Sequence, residues 1–340
     1  MKKRTYHIPV FVPHSGCPHD CVFCNQKRIT GQTEQMDASR ADLIIKQNLE
    51  TINKYDKGEK YVEIAFFGGS FTGIEQERQI EYLEIAQKYV KSGLVDAIRC
   101  STRPDYINKD ILDMIKKYGM TVIELGVQST DADVLKLSNR GHTYEDVVNA
   151  SRLIKSYNIG LGLQMMTGLC GDTYEKSIKT AMDISALQPE CVRIYPTLVM
   201  ENTALYNMYL KGEYKPNELE YTADLLSELI KIFEGRGINI IRIGLQTTDN
   251  VNKNTVIGPY HEAIAELGYS RLYRKTIEAN LPKQKDVEIR VNPACVSFAS
   301  GHKKENKKYF QKMGIFLKII ADDSVDNKHI VICNKKVALY

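Results

Sequence analysis

The chain has 340 residues with 46 Lys and Arg against 42 Asp and Glu, a net charge of +4, and is 43% hydrophobic and 26% charged. That balance is the one of a globular protein with a sizeable core, and the length suits one α/β barrel plus an appendage. No run of about 18 apolar residues argues for a membrane span, and the basic start Met1-Lys-Lys-Arg4 leads to no signal-peptide cleavage site.

The eight cysteines follow no disulfide framework, so a reducing compartment is expected and the location is read as cytoplasmic. Charge is unevenly spread. Residues 271–340 hold fifteen Lys and Arg and seven Asp and Glu, +8, which leaves −4 for the rest of the +4 chain. A basic tail on a mildly acidic body favours an anionic partner.

In chain order, Ile8–Val12 is predicted as a first strand, followed by a cysteine-rich loop. Ser39, with Asp42 three residues on, predicts the N-cap of a helix reaching about Asn53. Strand Tyr61–Phe67 ends at Gly68-Gly69-Ser70, and a helix is predicted over Gln76–Lys91. Strand Ala97–Ser101 and helix Asp110–Tyr118 follow, then strand Thr121–Val127. Helices are predicted over Asp131–Leu137 and Thr143–Ser156, the second with a Thr143/Asp146 capping box. Strand Ile159–Met166, helix Tyr174–Leu187 and strand Cys191–Tyr195 complete six βα-type units. Such a run predicts a parallel sheet closed partly into a barrel, a partial (β/α)6 TIM-like α/β fold with its chemistry at the strands' carboxyl ends. A helical stretch Glu218–Arg236, a strand Ile238–Ile243 and a polar loop Asp249–Asn254 come next. The last piece is predicted as a small α+β extension. It has strands at Val287–Val291, Ile315–Ile320 and His329–Cys333, and a helical stretch Cys295–Met313 interrupted at Gly301. The domain reading is a core over 1–245 and a basic extension over 246–340.

The loop reads Cys17-Pro-His-Asp-Cys21-Val-Phe23-Cys24. Thiolates this close can converge on one metal centre. Zinc would need a fourth ligand, and His14 and His19 flank the loop. An iron–sulfur cube held by only three cysteines leaves one iron open for a chelating amino and carboxylate group. Both readings stand on the residues alone. Gly68-Gly69-Ser70 is either a tight turn or a close approach of backbone to a ligand. Gln128 and Arg140 are either structural and solvated, or a buried amide and a carboxylate partner at the barrel mouth.

The Cys-x3-Cys-x2-Cys spacing after a first strand, with Phe23 before the third cysteine, resembles the radical S-adenosylmethionine (SAM) superfamily. The resemblance implies a [4Fe–4S] cluster on Cys17, Cys21 and Cys24, SAM on its open iron, and a reductant such as ferredoxin or flavodoxin. It also implies cofactor contacts from Phe23, from Gly68, Gly69 and Ser70, and from Ser101, Gln128, Arg140 and Gln164. The stretch from Gln128 through Asn139-Arg140-Gly-His142 is similar to the oxygen-independent coproporphyrinogen oxidase and Elongator catalytic-subunit branch. Ser101-Thr-Arg-Pro-Asp105-Tyr106, Arg193-Ile-Tyr-Pro-Thr-Leu-Val199 and Gly212-Glu-Tyr-Lys-Pro216 resemble the radical domain of the Elongator subunit, which modifies wobble uridine in tRNA. No Gly-rich acetyl-CoA loop of the Elongator kind is visible after residue 243, so the acetyl-dependent reaction is not simply carried over.

The expectation is a radical SAM enzyme that makes a 5′-deoxyadenosyl radical and acts on RNA, first of all tRNA. The alternatives are a small-molecule substrate such as a porphyrinogen, or a zinc- or cluster-stabilised RNA-binding protein. Lys303, Lys304, Lys307 and Lys308 are expected to form a basic face on a helical turn that docks RNA.

Overall fold

Runs of β-branched and aromatic residues alternate with amphipathic helices, and each pair becomes a βα unit. The computed structural model describes residues 4–12, 21–24, 37–246, 251–252 and 256–340. The units are β1 (Arg4–Val12), α1 (Ala38–Tyr55), β2 (Lys60–Gly68), α2 (Gln76–Lys91), β3 (Ala97–Thr102) and α3 (Lys109–Lys117). They continue with β4 (Met120–Gln128), α4 (Ala132–Leu137), α5 (Tyr144–Ser156), β5 (Gly160–Thr167), α6 (Tyr174–Ala186) and β6 (Cys191–Pro196). After β6 come a short β7 (Val199–Met200), α7 (Ala204–Leu210), α8 (Leu219–Gly235), β8 (Asn239–Ile243) and a short β9 (Val256–Ile257) that pairs antiparallel with β7.

Strands β1 to β6 and then β8 form one parallel sheet in that order, which bears out the partial-barrel expectation and adds a seventh strand. Parallel strands covered on both faces read as near-continuous apolar runs, and β2 is buried on both sides through Val62, Ile64, Ala65 and Phe66. Residues of the first strand and of the last line one cavity, so the sheet is curled.

One local reading needs correction. Helix α1 is capped by Asp37, whose carboxylate accepts from the Arg40 amide at 2.8 Å. The helix starts one residue before Ser39, which therefore lies inside the first turn. Asp42 pairs with Lys46 and accepts from the Tyr89 hydroxyl. The Thr143/Asp146 capping box is formed as expected.

The C-terminal region contains a helix the sequence reading missed, α9 (Ile264–Glu278), with Gly268 in its N-terminal half. That glycine is what lets α9 lie against α8: a Cβ there would meet Leu226 at 3.0 Å and Ile230 at 3.1 Å. Beyond it, β10 (Asp286–Val291), α10 (Val296–Ser300), α11 (Glu305–Lys312), β11 (Phe316–Ala321), β12 (His329–Ile332) and β13 (Lys335–Ala338) follow. The strands form a second sheet in the order β11-β10-β12-β13, whose core residues join those of the barrel in one apolar cluster.

The expected helical lysine face is not formed as drawn. Gly301, Lys303 and Lys304 all have positive φ (78°, 49° and 63°), so the chain turns before α11 begins. The buried Asn306 fixes that turn by donating to the Ser270, Phe298 and Ala299 carbonyls and accepting from Arg274 Nε. Lys303 and Lys307 therefore do not share a helix face, while Lys308 and Lys312 do.

Candidate active site

The cavity at the carboxyl ends of the strands has a volume of about 560 Å³, within the range of small-molecule sites. Alternation along the strands sets its lining. Pro9 and Phe11 come from β1, Phe67 from β2, Ser101 from β3, Gly126 and Gln128 from β4, Gln164 and Met166 from β5, and Arg193 and Tyr195 from β6. Cys21, Phe23, Cys24, Gly68, Gly69, Ser70 and Arg140 line the same space. Every described residue expected at the cofactor site thus meets in one cavity. Cys17 lies outside the described residues, as do His14 and His19.

The cysteine turn is held on both sides. Cys24 N donates to Cys21 O at 2.9 Å, closing the turn. Val22 N donates to Ser138 O at 3.2 Å, and Val22 O accepts from Leu205 N at 2.7 Å. Val22 and Phe23 pack on a small apolar cluster of Cys170, Val199, Leu205 and Tyr214. Cys170 is structural there, buried with its thiol pKa raised by desolvation.

Arg140 turns inward because α4 ends in a left-handed Asn139, with Arg140 N donating to Leu135 O at 3.0 Å. Its guanidinium is buried. Nη1 donates to Cys21 Sγ at 3.3 Å and Nη2 to Gly126 O at 2.6 Å, while Nε has no partner among the described residues. The Arg140 carbonyl accepts from Arg103 Nη2, and Arg103 is itself forked onto Asp105, Nε and Nη2 each donating at 2.9 Å. His142 is buried beside these arginines, its Nε2 donating to Val127 O at 3.2 Å. Burial first, then the charges of Arg140 and Arg103, lower its pKa to about 4, so it is neutral at pH 7.

Gln128 has φ 66° at a register shift between β4 and β5, a bulge that re-aims its side chain into the cavity. Its Oε1 accepts from Gln164 Nε2 at 3.2 Å. A Cβ at Gly126 would sit 2.9 Å from Gln128 Nε2 and 3.4 Å from Arg140, so only glycine leaves this wall open. Gly68 (φ 100°) similarly turns the chain out of β2.

Below this layer runs a row of charges that the sequence reading did not single out as a site. His7 and Arg99 both lie at ion-pair distance from Glu63 Oε2, at 2.9 and 2.8 Å. Arg99 Nη1 donates to Glu124 Oε1 at 2.7 Å, and Arg193 Nε donates to Glu124 Oε2 at 2.5 Å. The row crosses from β4 to β6 because β5 carries Gly162 between them: a Cβ there would lie 2.8 Å from Glu124 Cγ and 3.2 Å from Cys191 Sγ. The pKa values of Glu63 and Glu124 are lowered despite burial, which opposes ionisation, because His7 and the arginines bond and attract the carboxylates. The signal was legible as one lone charge inside each of four apolar strands.

The four lysines of the tail do not line this cavity. Among the described residues no helix is long and apolar enough to cross a membrane.

The family model of the radical SAM superfamily matches residues 11–184, and that of the radical SAM C-terminal domain matches 189–274. The tRNA uridine(34) acetyltransferase of Methanocaldococcus infernus is 29% identical over 256 residues, spanning 65% of this chain and 48% of that protein. Elongator complex protein 3 of Homo sapiens is 26% identical over 252 residues, spanning 67% of this chain and 46% of that protein. The chain thus spans about half the length of these relatives. The solved structure of the archaeal M. infernus Elp3 lacking residues 1–46 superposes with a TM-score of 0.63 at 25% identity, over 84% of this chain and 65% of that one. The expected resemblance to the Elongator catalytic subunit is therefore found. With the family model matching just over half of its length, the chain belongs to the radical SAM superfamily, as a radical SAM enzyme.

Proposed function

We propose that this enzyme uses a [4Fe–4S] cluster on Cys17, Cys21 and Cys24 with SAM in the cavity to modify RNA, and that the RNA is a tRNA. The observation that carries the cofactor reading is the convergence of Cys21, Cys24, the Gly68–Ser70 turn, Gln128 and Arg140 on one cavity. The residues fit the group. Two thiols face the space, the glycine at 126 leaves a cradle that a Cβ would fill, and Arg140 Nε is a buried donor without a partner among the described residues. When bound, the cluster and SAM supply a 5′-deoxyadenosyl radical by reductive cleavage of the sulfonium C–S bond.

The chain's own residues then position and protect. Arg140 pairs with the cofactor carboxylate, the Gly68–Ser70 backbone takes its amino group, and the Gln128–Gln164 bridge and Ser101 orient the remainder. Phe11, Phe23 and Phe67 exclude water from the reacting centre. The electron comes from a reductant such as ferredoxin or flavodoxin. The tRNA reading rests on the relatives named for tRNA uridine(34) modification and on the basic tail, where exposed Lys303, Lys304 and Lys308, with Lys307, would meet phosphate.

The test is anaerobic reconstitution with SAM, dithionite and a panel of unmodified RNAs, read by mass spectrometry. A mass change in a tRNA that depends on SAM supports the reading. SAM cleavage with every RNA unchanged rejects the RNA substrate and leaves the radical chemistry.

A further inference from the structure

The β6–β8 wall of the cavity carries a charge that no described residue neutralises. Arg193 and Arg242 are register partners on these adjacent parallel strands, and both line the cavity. Like charges side by side on one sheet face repel. For Arg193 the repulsion is offset, because Glu124 takes two of its N–H donors, at 2.5 and 3.1 Å, and its guanidinium lies 5.0 Å from the Phe67 ring centroid. Glu124 has no charge left to offer. The row Glu63, Arg99, Glu124 and Arg193 sums to zero, with its carboxylates already shared between Arg99 and its neighbours.

Arg242 is partly buried, and its Nε donates to Gly244 O at 3.0 Å, which fixes the plane of the guanidinium. That is its one hydrogen bond among the described residues, and it has no ion pair there, so its two terminal nitrogens are left to face the cavity. Four arginines but no Asp or Glu stand among the described residues lining that space. The same cavity is lined by Leu198, Met200, Leu245 and Val251, which pack in one apolar cluster, and by Gln246. An oriented guanidinium in such surroundings is a preorganised fork for a planar or tetrahedral oxyanion.

We propose that Arg242, with Arg193 beside it, is an oxyanion subsite that binds a phosphate or carboxylate of the substrate and so selects anionic substrates. The subsite rests on the reading that this cavity is where SAM chemistry occurs. Its role is to bind and orient, and no bond is made or broken at Arg242.

The test is arginine footprinting of the reconstituted holoenzyme at low salt. SAM is present and reductant absent, phenylglyoxal is the reagent, and peptide mass spectrometry is the readout. Arg242 should be modified readily, with Arg99 and Arg193 slowed by their ion pairs. Inorganic phosphate in one arm and acetate in the other should compete. Saturable slowing of Arg242 modification by at least about fivefold in either arm supports the subsite, and the stronger arm names the oxyanion class. No protection in either arm overturns it. So does full protection of Arg242 by SAM alone, which would assign this arginine to the cofactor and leave the radical reading intact. A separate dithionite assay for 5′-deoxyadenosine bears on that radical reading alone.

Discussion

Two rows of charges in this molecule use the same residue types in opposite surroundings. In the barrel, Glu63, Arg99, Glu124 and Arg193 are nearly inaccessible and pass through the sheet interior. In the C-terminal sheet, Glu288 faces Arg290 at 2.9 Å and Lys318 at 3.3 Å, and Arg290 reaches Asp322 at 3.7 Å, all at the surface. The side chain of Lys318 is 73% exposed and that of Glu124 is 3% exposed. Water can replace any partner in the surface row and none in the buried one. The buried row is therefore a frame that fixes the cavity floor, while the surface row is exchangeable decoration of a sheet.

The contrast should break most visibly at Glu124. Glu124→Ala strands Arg99 and Arg193 in the interior, and should lower stability by about 3–5 kcal/mol in urea denaturation, if the variant folds at all. The next largest effect is at His142. Its folded pKa of about 4 lies below the ordinary value of 6.5, so the unfolded chain binds the extra proton first. The stability from keeping it neutral is fully present above pH 6.5 and is lost as pH falls toward 4. From the size of that shift the loss is on the order of 3 kcal/mol. A His142→Gln variant should show a flatter stability profile between pH 7 and pH 5. A smaller change is expected from Gly162→Ala, whose new methyl would press on a Glu124 side chain held by two arginines. A cost of about 1–3 kcal/mol is expected, with the barrel loosened rather than unfolded. At the bottom of the scale, Lys318→Ala should leave the thermal midpoint where it is.

The same contrast explains what could be read from sequence. The strands of the barrel were legible because parallel strands covered on both faces are continuous apolar runs, and Gly68 to Ser70, Ser101, Gln128 and Gln164 stood out at or near strand ends, whereas Phe23 and Arg140 came from the family resemblance. Glu63, Arg99, Glu124 and Arg193 were equally visible as isolated charges in such runs. What joins them depends on register and on Gly162 leaving a gap, neither of which a single strand reveals. The lysine run misled in the opposite way. Its i,i+4 spacing suggested one helix face, but Asn306, buried and bonded to three carbonyls, draws the chain into a left-handed turn at Lys303 and Lys304. Helix α9 escaped because Gly268 lowers helical propensity in its N-terminal half, and only the surface of α8 shows why a glycine stands there.

The central claim is that the cysteine turn and the cavity beside it form a radical SAM site, and cluster content with SAM turnover tests it most directly. After anaerobic reconstitution the protein should hold about four iron and four sulfide per chain and should form 5′-deoxyadenosine from SAM with dithionite. Cys21→Ala should abolish both, while Cys333→Ala, altering a thiol in the C-terminal region, should abolish neither. Stoichiometric zinc without iron uptake, or a cluster that survives in Cys21→Ala, would contradict the account.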